Sequence, residues 1–298
     1  MKYYIGIDIG GTNLRAAVLD ENYKLLDKFK IENEVEKGPE YNIDKLIVGI
    51  NERGWDKKIT AIGVGCPGPL DINTGTILVT PNLRTWENFK LKKYLEDKFK
   101  LPVVVNNDAN VAGYSEAMVG AGKDAESMYY MTLSTGVGGG FIYKGEIVSG
   151  FNSIAAEIGN MIINEDTYKH YNMNYGGVEG QCSGVSIARI SSDILGKELT
   201  TKDVFEGAKK GDKQLQQVLS NWVINVAKAI ANIIVTVDPQ VIVLGGSVII
   251  NNPSYIKDIQ EEVKKRVYDG VNVNIKLAEI GDDTGLIGAG ILAINIDD

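Results

Sequence analysis

The sequence predicts an α/β protein of two similar lobes with a cleft between them. An apolar strand, a glycine-rich turn and a second strand occur in this order near the start of the chain, and the same pattern returns about 125 residues later. Helical periodicity follows each occurrence, which is typical of helices that pack against a sheet. A chain of 298 residues is long enough for two domains, and the gap between two lobes is where ligands usually bind.

The first half of the chain predicts a β-meander followed by alternating helices and strands. Alternating apolar and β-branched residues indicate three strands joined by tight turns, at 3–9, 14–19 and 23–31. A helix is expected over 40–53, because Ile43, Leu46 and Ile50 fall on one face. Further strands are expected at 59–65 and 102–105, and further helices at 91–99 and 109–119.

The second half repeats this organisation. Strands are expected at 128–133, 137–143, 146–148, 241–244 and 274–277, and helices at 211–237, 254–268 and 284–294. Residues 150–184 are rich in Gly, Asn and Tyr without clear periodicity, so this segment is either functional or disordered. The expected lobes are a small one of residues 1–108 plus 284–298 and a large one of residues 109–283.

Composition narrows the possible functions. The net charge is −8, which argues against nucleic acid or an anionic membrane as a partner, because phosphate contacts need clustered Lys and Arg. Two cysteines cannot form a disulfide framework, and the single histidine argues against His-dependent catalysis and multi-His metal sites. The N-terminal segment does not look like a signal peptide, and no uninterrupted apolar stretch is long enough to span a membrane. We therefore expect a cytoplasmic protein.

The first cluster of candidate site residues joins the first two strands. Asp8 ends the first strand, and the turn that follows consists of Gly10, Gly11, Thr12 and Asn13. Because this turn joins two strands, it is neither a Rossmann fingerprint nor a Walker A loop. Glycines let backbone N–H groups approach an anion, and Asp8 is placed to hold a hydrated Mg²⁺ that neutralises phosphate charge. An ordinary Gly-Gly hairpin turn is the alternative.

Two further glycine-rich turns follow strands of the second lobe. The first has four glycines in five positions, more than a hairpin needs, and its candidate phosphate-binding residues are Ser134, Thr135, Gly136 and Gly138. Together with the turn of the first lobe, it would clamp a polyphosphate from two sides. The second ends strand 241–244 and would let a flat ring or a ribose lie against the backbone of Gly245 and Gly246. Any buried strand that ends in a turn gives the same pattern.

Six short segments carry a family resemblance when they are taken together. They are Asp-Ile-Gly-Gly-Thr (8–12), Gly-Cys-Pro-Gly-Pro (65–69), Asn-Asp-Ala-Asn (107–110), Leu-Ser-Thr-Gly-Val-Gly-Gly-Gly (133–140), Glu-Ile-Gly (157–159) and Leu-Gly-Gly (244–246). Their order and spacing over essentially the whole chain resemble the ROK family (repressors, open reading frames, kinases), in the sugar-kinase branch of the actin/Hsp70/hexokinase superfamily. The resemblance implies two ribonuclease-H-like lobes of the actin-like ATPase type, with mixed sheets around a central cleft.

The resemblance also implies roles for single residues. It makes Asp108 the catalytic base, which accepts the proton of a sugar hydroxyl as this hydroxyl attacks the γ-phosphoryl group of ATP. A position between a strand and a helix agrees with this role, and a helix N-cap role for Asp108 is compatible with it. For Glu157 the alternative is an ordinary residue at the start of a helix, and for Glu179 it is an exposed acid in a loop. The implied sugar contacts are Gly68, Asn107, Asp108, Glu157 and Glu179.

The chain departs from the family pattern where many members bind a structural zinc. In those members a His follows the Glu-x-Gly segment and a Cys-rich loop comes next. Here Asn160 takes the position of that His, and His170, Asn172 and Gly177 stand where cysteines would be. A tetrahedral site needs four N or S ligands, so we expect no structural zinc, an ordinary loop role for His170 and a sugar hydrogen bond from Asn160. Packing is expected to hold the loop, through Tyr168, Tyr171 and Tyr175.

The function that the resemblance implies is ATP- and Mg²⁺-dependent phosphorylation of a hexose at its 6-hydroxyl. Glucose is the first candidate by family frequency. N-acetylmannosamine and a β-glucoside are alternatives, because zinc-lacking relatives include such specificities. A non-catalytic sugar sensor and a repressor are alternatives of a different class. The presence of Asp8, Asp108 and both turns argues against a sensor, and a first strand beginning at Tyr3 leaves no room for a helix-turn-helix. A homodimer is expected, since the family commonly dimerises.

Overall fold

Mixed β-sheets and surrounding helices make up the fold, which confirms the predicted α/β class. The structure is a computed structural model and describes residues 2–78 and 83–297. The strands of these residues are β1 Tyr3–Ile9, β2 Asn13–Asp20, β3 Leu25–Glu32, β4 Ile59–Cys66, β5 Leu70–Asp71, β6 Thr76–Ile77, β7 Val103–Asn107, β8 Ser127–Leu133, β9 Val137–Tyr143, β10 Glu146–Ile147, β11 Val241–Gly245 and β12 Ile275–Leu277.

The helices lie between these strands and after them. They are α1 Pro39–Glu52, α2 Leu91–Phe99, α3 Asp108–Val119, α4 Val178–Cys182, α5 Gly184–Leu195, α6 Thr201–Lys209, α7 Lys213–Val237, α8 Ser247–Ile250, α9 Tyr255–Lys264 and α10 Thr284–Ile294. Four of these helices, α4 to α7, follow one another without a strand. A short 3₁₀ helix also spans Ile158–Asn160.

The described chain divides into two compact units. The first unit is Met1–Lys123 with Gly145–Ala155 and Ile280–Asp298, and the second is Asp124–Lys144 with Ala156–Glu279. The lobes predicted at 1–108 plus 284–298 and at 109–283 stay a prediction, and the compact units do not coincide with them. Helix α3 belongs to the first unit because it packs directly on α10.

The first unit is built on a five-stranded sheet with the strand order β3-β2-β1-β4-β7. Strands β1, β2 and β3 form the antiparallel meander, whereas β1, β4 and β7 run parallel. In the parallel part Asp8 pairs with Gly65 and Cys66 pairs with Asn107. The carboxyl ends of these three strands therefore meet at one edge of the sheet.

The two faces of this sheet are covered differently, because side chains alternate along each strand. Ile5 and Ile62 point into a core cluster with residues of α1 and α2. On the other face, Gly6 and Gly63 leave room for the backbone of α10, and a Cβ at Gly63 would lie 1.8 Å from the Ala289 carbonyl oxygen. At these two glycines α10 therefore approaches the sheet at backbone-to-backbone distance. Elsewhere the helix packs on side chains of the sheet, which include Tyr4, Ala61 and Leu19.

The second unit contains the strand order β9-β8-β11-β12. Strand β8 pairs antiparallel with β9 and parallel with β11, which also runs parallel to β12. Its core includes β8, β11 and the long helix α7, whose Trp222 is 2% exposed and donates its indole N–H to the Cys182 carbonyl at 2.9 Å. The meander of the first unit thus has a counterpart here, as the internal repeat in the sequence predicts.

Helix α7 has the length and composition of a membrane span, although the sequence predicts no such segment. It has 25 residues, its most apolar window has a mean hydropathy of 1.6, and 61% of that window is buried in the protein. Its apolar side chains pack in the core of the second unit. A buried core helix passes the same length and hydropathy test, so α7 is weak evidence for a membrane.

Candidate functional site

Parallel strands bring predicted site residues of the first unit to one edge of its sheet. Asp8 lies at the carboxyl end of β1, Gly68 follows β4, and Asn107 and Asp108 stand where β7 passes into α3. Since β1, β4 and β7 are neighbours, these residues come together although they are far apart in sequence. Ligands of parallel α/β sheets bind at this kind of edge.

The surroundings of Asp108 raise the pKa of its carboxyl group. Burial, with the nearby negative charge of Asp8 as the second cause, raises the pKa of Asp108 from 3.8 to about 6. The Ala109 backbone N–H donates to Asp108 Oδ1 at 2.8 Å and opposes part of this rise. The same two carboxylates act on Cys66, whose thiol pKa is raised well above its usual value mainly by burial. Asp108 is thus an ionisable carboxyl group poised near neutral pH.

The helix-capping role falls to Asn107 rather than to Asp108. Asn107 Oδ1 accepts the backbone N–H of Ala109 at 2.9 Å and that of Asn110 at 3.4 Å, as an N-cap residue does. Asp108 is the first residue of α3, and its carboxylate is not needed to satisfy the donors of the second and third helical residues. This arrangement leaves Asp108 available for chemistry and fixes Asn107 beside it.

Asp8 is held by an ion pair that the sequence analysis did not anticipate. Arg15 donates from Nε to Asp8 Oδ2 at 2.8 Å, and its Nη2 also contacts this oxygen. A third guanidinium nitrogen, Nη1, donates to the Asp282 carbonyl at 2.7 Å. The signal for this pair was present in the predicted hairpin, since Asp8 and Arg15 lie directly opposite each other in β1 and β2.

The turn between β1 and β2 is exposed at its tip. The Gly10 N–H donates to the Asn13 carbonyl at 2.9 Å and closes the turn, while Gly11, Thr12 and Asn13 are exposed. Asn33 braces the turn from behind, because its Nδ2 donates to the Gly10 carbonyl at 2.7 Å and its N–H to the Thr12 carbonyl at 2.9 Å. An exposed, braced turn of this kind presents N–H and hydroxyl donors to an anion.

The second unit has a matching edge formed by β8 and β11. Thr132 pairs with Gly245 in the parallel ladder, so the turns that follow the two strands are neighbours. Ser134 Oγ and Ser247 Oγ, one from each turn, lie 3.2 Å apart. Gly246 has φ +87° and its missing Cβ would lie 2.4 Å from the Leu133 carbonyl oxygen, so only glycine fits there. The glycine turns predicted at 134–138 and 245–246 thus meet within one unit.

A cavity of about 860 Å³ opens beside these two turns. Ser134 and Thr135 line it from the β8–β9 turn, and Ser247 and Asn251 line it from the segment after β11. Helices α5 and α6 supply the remaining wall, which includes Thr201, Lys202, Phe205 and Lys209. The sequence analysis missed the contribution of α5 and α6, although both lie in the same unit.

Glu179 lies directly against the first of these turns. Its Oε2 accepts the Val137 backbone N–H at 2.8 Å, and a Cβ at Gly136 would lie 2.5 Å from the same oxygen. A Cβ at Gly159 would lie 3.5 Å from Glu179 Cβ, so the Glu-Ile-Gly segment packs here as well. Two predicted site segments of the second unit therefore lie against Glu179.

The other two predicted sugar contacts of this unit are exposed. Glu157 precedes the 3₁₀ helix and its negative charge adds to burial in raising the pKa of Tyr129. Asn160 Oδ1 accepts the Asn174 backbone N–H at 2.6 Å, and Asn174 Nδ2 donates to the Asn160 carbonyl at 3.1 Å. These bonds close the segment between the two asparagines. Over residues 2–78 and 83–297, no three His, Cys, Asp or Glu side chains cluster in a way that could hold a metal ion. The expected lack of zinc stays a prediction.

Comparison with known families decides which family this fold represents. The family model described as the ROK family matches residues 4–296. The chain belongs to the ROK family. Among curated relatives, a glucokinase of Halalkalibacterium halodurans is 33% identical, with 98% of this chain and 94% of the relative covered. A glucokinase of Pyrobaculum calidifontis is also 33% identical, with 98% and 95% covered.

Solved structures of ROK proteins share the fold over nearly the whole chain. A ROK hexokinase of Thermus thermophilus has a TM-score of 0.90 at 29% identity, covering 98% of this chain and 97% of that one. A putative N-acetylmannosamine kinase of Listeria monocytogenes has a TM-score of 0.84 at 25% identity, with 97% of each chain covered. A ROK family glucokinase of Streptomyces griseus, in complex with glucose and AMPPNP, has a TM-score of 0.80 at 27% identity, covering 98% and 99%. The predicted two-lobe actin-like fold is thereby confirmed.

Proposed function

We propose that this ROK protein is an ATP-dependent sugar kinase that phosphorylates a hexose, with glucose as the first candidate, at its 6-hydroxyl group. The observation that carries the proposal is the environment of Asp108, whose pKa is raised to about 6 at the edge where the carboxyl ends of β1, β4 and β7 meet. A carboxylate with this pKa is ionised at pH 7 and basic enough to accept the proton of an attacking hydroxyl. The glucokinase relatives and the glucokinase structure with glucose support this reaction class.

The donor set around Asp8 fits a Mg²⁺ ion that is held largely through water. Mg²⁺ in kinases is bound by one or two carboxylates together with waters and substrate phosphates. Asp8 and Asp108 are two such carboxylates, and Asp8 lies near enough to help raise the pKa of Asp108. Asp8 would hold the ion, which supplies charge neutralisation for the transferred phosphoryl group when bound. Arg15 keeps the Asp8 side chain oriented through Oδ2.

The second unit supports the nucleotide part of the proposal. The turns at Ser134–Gly138 and Gly245–Gly246 line or adjoin a cavity of about 860 Å³, which is large enough for a nucleoside. Their backbone N–H groups and hydroxyls are suitable donors for phosphate oxygens, and Lys202 and Lys209 add positive charge at the cavity wall. We assign the nucleotide to this cavity of the second unit. For the first unit, we propose that the exposed turn of Gly10, Gly11, Thr12 and Asn13 binds phosphate.

The sugar contacts that we propose are polar groups suited to paired hydroxyls. Gly68, Asn107 and Asp108 supply them from the first unit, and Glu157, Asn160 and Glu179 supply them from the second. In Asn107 the Oδ1 atom is occupied by the α3 N–H groups, so its Nδ2 is the group left to donate to a hydroxyl. Asn160 Oδ1 is likewise engaged by the Asn174 N–H, which leaves its Nδ2 for a ligand.

A panel of sugars tests the proposed reaction. ADP release is measured with ATP and Mg²⁺ against glucose, mannose, fructose, galactose, N-acetylglucosamine, N-acetylmannosamine and a β-glucoside. We expect sugar-stimulated ADP release with kcat/KM highest for glucose, because the curated relatives named above are glucokinases. ADP release that no sugar stimulates would contradict the kinase proposal and favour a non-catalytic sugar sensor.

The second candidate is an N-acetylmannosamine kinase. The Listeria monocytogenes structure, putatively such a kinase, favours it with a TM-score of 0.84. In the same panel this candidate predicts the highest kcat/KM with N-acetylmannosamine and little turnover of glucose. We also propose a homodimer as the assembly, which light scattering on the purified protein would test.

The proposed base predicts a defined pH dependence of the reaction. Because only the ionised carboxylate accepts a proton, kcat/KM should fall tenfold per pH unit below the pKa of Asp108, which lies at about 6. An unperturbed aspartate would place this fall near pH 4. The measurement is kcat/KM for the preferred sugar at saturating ATP, from about pH 4.5, which lies between the two pKa values, up to about pH 8.5, with stability controls at each pH. A profile that stays flat down to about pH 5 would contradict the raised pKa of Asp108.

A further inference from the structure

The histidine of the loop between Asn160 and Glu179 has a partner that neither its sequence context nor the family comparison assigns. His170 lies in this loop, as the sequence predicts, and its side chain is buried, with 7% of the residue exposed. Its Nε2 lies 3.4 Å from Glu179 Oε1. The single histidine of the chain therefore lies beside the carboxylate of Glu179, which we propose as a sugar contact.

The two carboxylate oxygens of Glu179 thus contact different parts of the second unit. Oε2 is fixed by the Val137 N–H at 2.8 Å, whereas Oε1 faces His170 Nε2. With Oε2 engaged by the backbone, rotation of the carboxylate is limited by whatever stands beside Oε1. His170 is the side chain in that place, and a proton on its Nε2 would face Oε1 across this 3.4 Å separation.

The His170 ring lies between two aromatic side chains of its own loop, and the residue packs against helix α4. Tyr168 and Tyr171 flank its ring, with ring centroids 6.1 Å and 4.7 Å away. The Arg189 guanidinium lies 3.5 Å from the Tyr168 ring centre, and its Nη2 donates to the Gly180 carbonyl at 3.3 Å. A Cβ at Gly180 would lie 3.5 Å from His170 Cβ, so the ring packs closely on the helix that carries Glu179.

We infer that His170 is a positioning residue that orients the Glu179 carboxylate for the sugar hydroxyls. This inference rests on the proposed sugar kinase function and deepens it, because it assigns the orientation of one substrate contact to a side chain of this loop. The Arg189–Tyr168–His170 stack, together with the Asn160–Asn174 pair, fixes the loop through side-chain packing and hydrogen bonds. His170 does not touch the reacting atoms, so its effect falls on sugar binding rather than on the chemical step.

Variants of His170 with different reach test this inference. Gln places its Nε2 where the His Nε2 lies, Asn is too short to reach Glu179, and Phe fills the space without a donor. We expect H170F and H170N to raise KM for the preferred sugar by about tenfold, with KM for ATP within about twofold and kcat within about threefold, and H170Q to restore a KM near that of the wild type. Asn172→Ala, in the same loop at an exposed position, is the matched control and should leave all constants unchanged.

The outcomes separate the inference from the proposed function. A wild-type protein that phosphorylates no sugar overturns both. An active wild type whose H170N and H170F variants keep the sugar KM overturns the inference alone, as does an equal rise of KM for ATP and sugar. If H170F folds poorly, H170N still tests the inference. The unfolding temperature of each variant shows whether it is folded. A KM pattern in which H170Q alone resembles the wild type supports the positioning role.

Discussion

Replacing Asp108 by asparagine is expected to lower kcat by about 100- to 10,000-fold while the protein stays folded. Asparagine has nearly the same shape and keeps an oxygen for the Ala109 N–H, which donates to Asp108 Oδ1 in the wild type. It has no basic lone pair strong enough to take the proton of a hydroxyl. The measurement is sugar-dependent ADP release at pH 7.5, compared with circular dichroism spectra of both proteins.

The pH dependence of the unfolding free energy of D108N, compared with that of the wild type, tests whether the pKa of Asp108 is raised in the folded protein. The folded protein holds Asp108 with a pKa of about 6, above its usual 3.8, so its ionised form is less favourable in the folded than in the unfolded state. The stability that this group contributes is fully present below pH 4 and is lost as the pH rises through 6. D108N should therefore be more stable than the wild type by about 1–3 kcal/mol at pH 8, with the difference vanishing near pH 4. A variant that is less stable at pH 8 would contradict the raised pKa.

Replacing Gly63 by alanine is expected to destabilise the first unit by about 3 kcal/mol or more. The added methyl group would meet the Ala289 carbonyl oxygen at 1.8 Å and the Ala293 backbone nitrogen at 3.0 Å. Both are backbone atoms of α10, so relief requires the whole helix to move away from β1 and β4. The measurement is urea unfolding of the first unit, followed through Trp55 and Trp86.

Gly65→Ala is the matched control in the same strand. Its added methyl group would lie 3.4 Å from the Val111 side chain, which is an ordinary contact. A Gly→Ala change that fits also restricts the unfolded chain, so G65A should change stability by less than about 1 kcal/mol. If G63A and G65A shift the urea midpoint equally, close packing of α10 on the sheet does not stabilise the unit as described.

The regular elements with strong local patterns were predicted closely from the sequence. Strand β1, helix α2, strand β9 and helix α10 occupy the predicted ranges 3–9, 91–99, 137–143 and 284–294. Each is an uninterrupted apolar or amphipathic segment bounded by turn residues, so local preference and tertiary packing agree there. The tight approach of α10 to the first sheet was not predictable, because a glycine in a strand does not reveal which backbone approaches it.

Helices α5 and α6 were missed although their start signals are in the sequence. Thr200 and Asp203 form a capping box at the start of α6, and the Ser183 side chain accepts the Ser186 N–H at the start of α5. The segment without clear periodicity extends over residues 150–184 in the sequence prediction, which assigns no element between it and the helix at 211–237. Because the prediction lacked both helices, it also lacked most of the residues that line the cavity of the second unit.

The candidate site residues at the ends of strands were predictable from the sequence. The contacts between side chains of distant segments were not. Asp8 and Asp108 follow from the order of parallel strands, since their carboxyl ends share one edge. The pairing of Arg15 with Asp8 follows from the hairpin register and was overlooked. The contact of His170 with Glu179 depends on how an irregular loop packs on α4, and no periodic signal encodes such packing.

The most direct measurement is the product formed by the wild type and by D108N from ATP, Mg²⁺ and the preferred sugar. Phosphorus-31 NMR of the quenched mixtures, with proton correlation, shows which sugar oxygen carries the new phosphate. We predict that the wild type yields a hexose 6-phosphate together with one equivalent of ADP, and that D108N yields neither in the same time. Equal amounts of sugar phosphate from both proteins, or ADP and inorganic phosphate without any sugar phosphate, would contradict phosphoryl transfer by an Asp108-assisted sugar kinase.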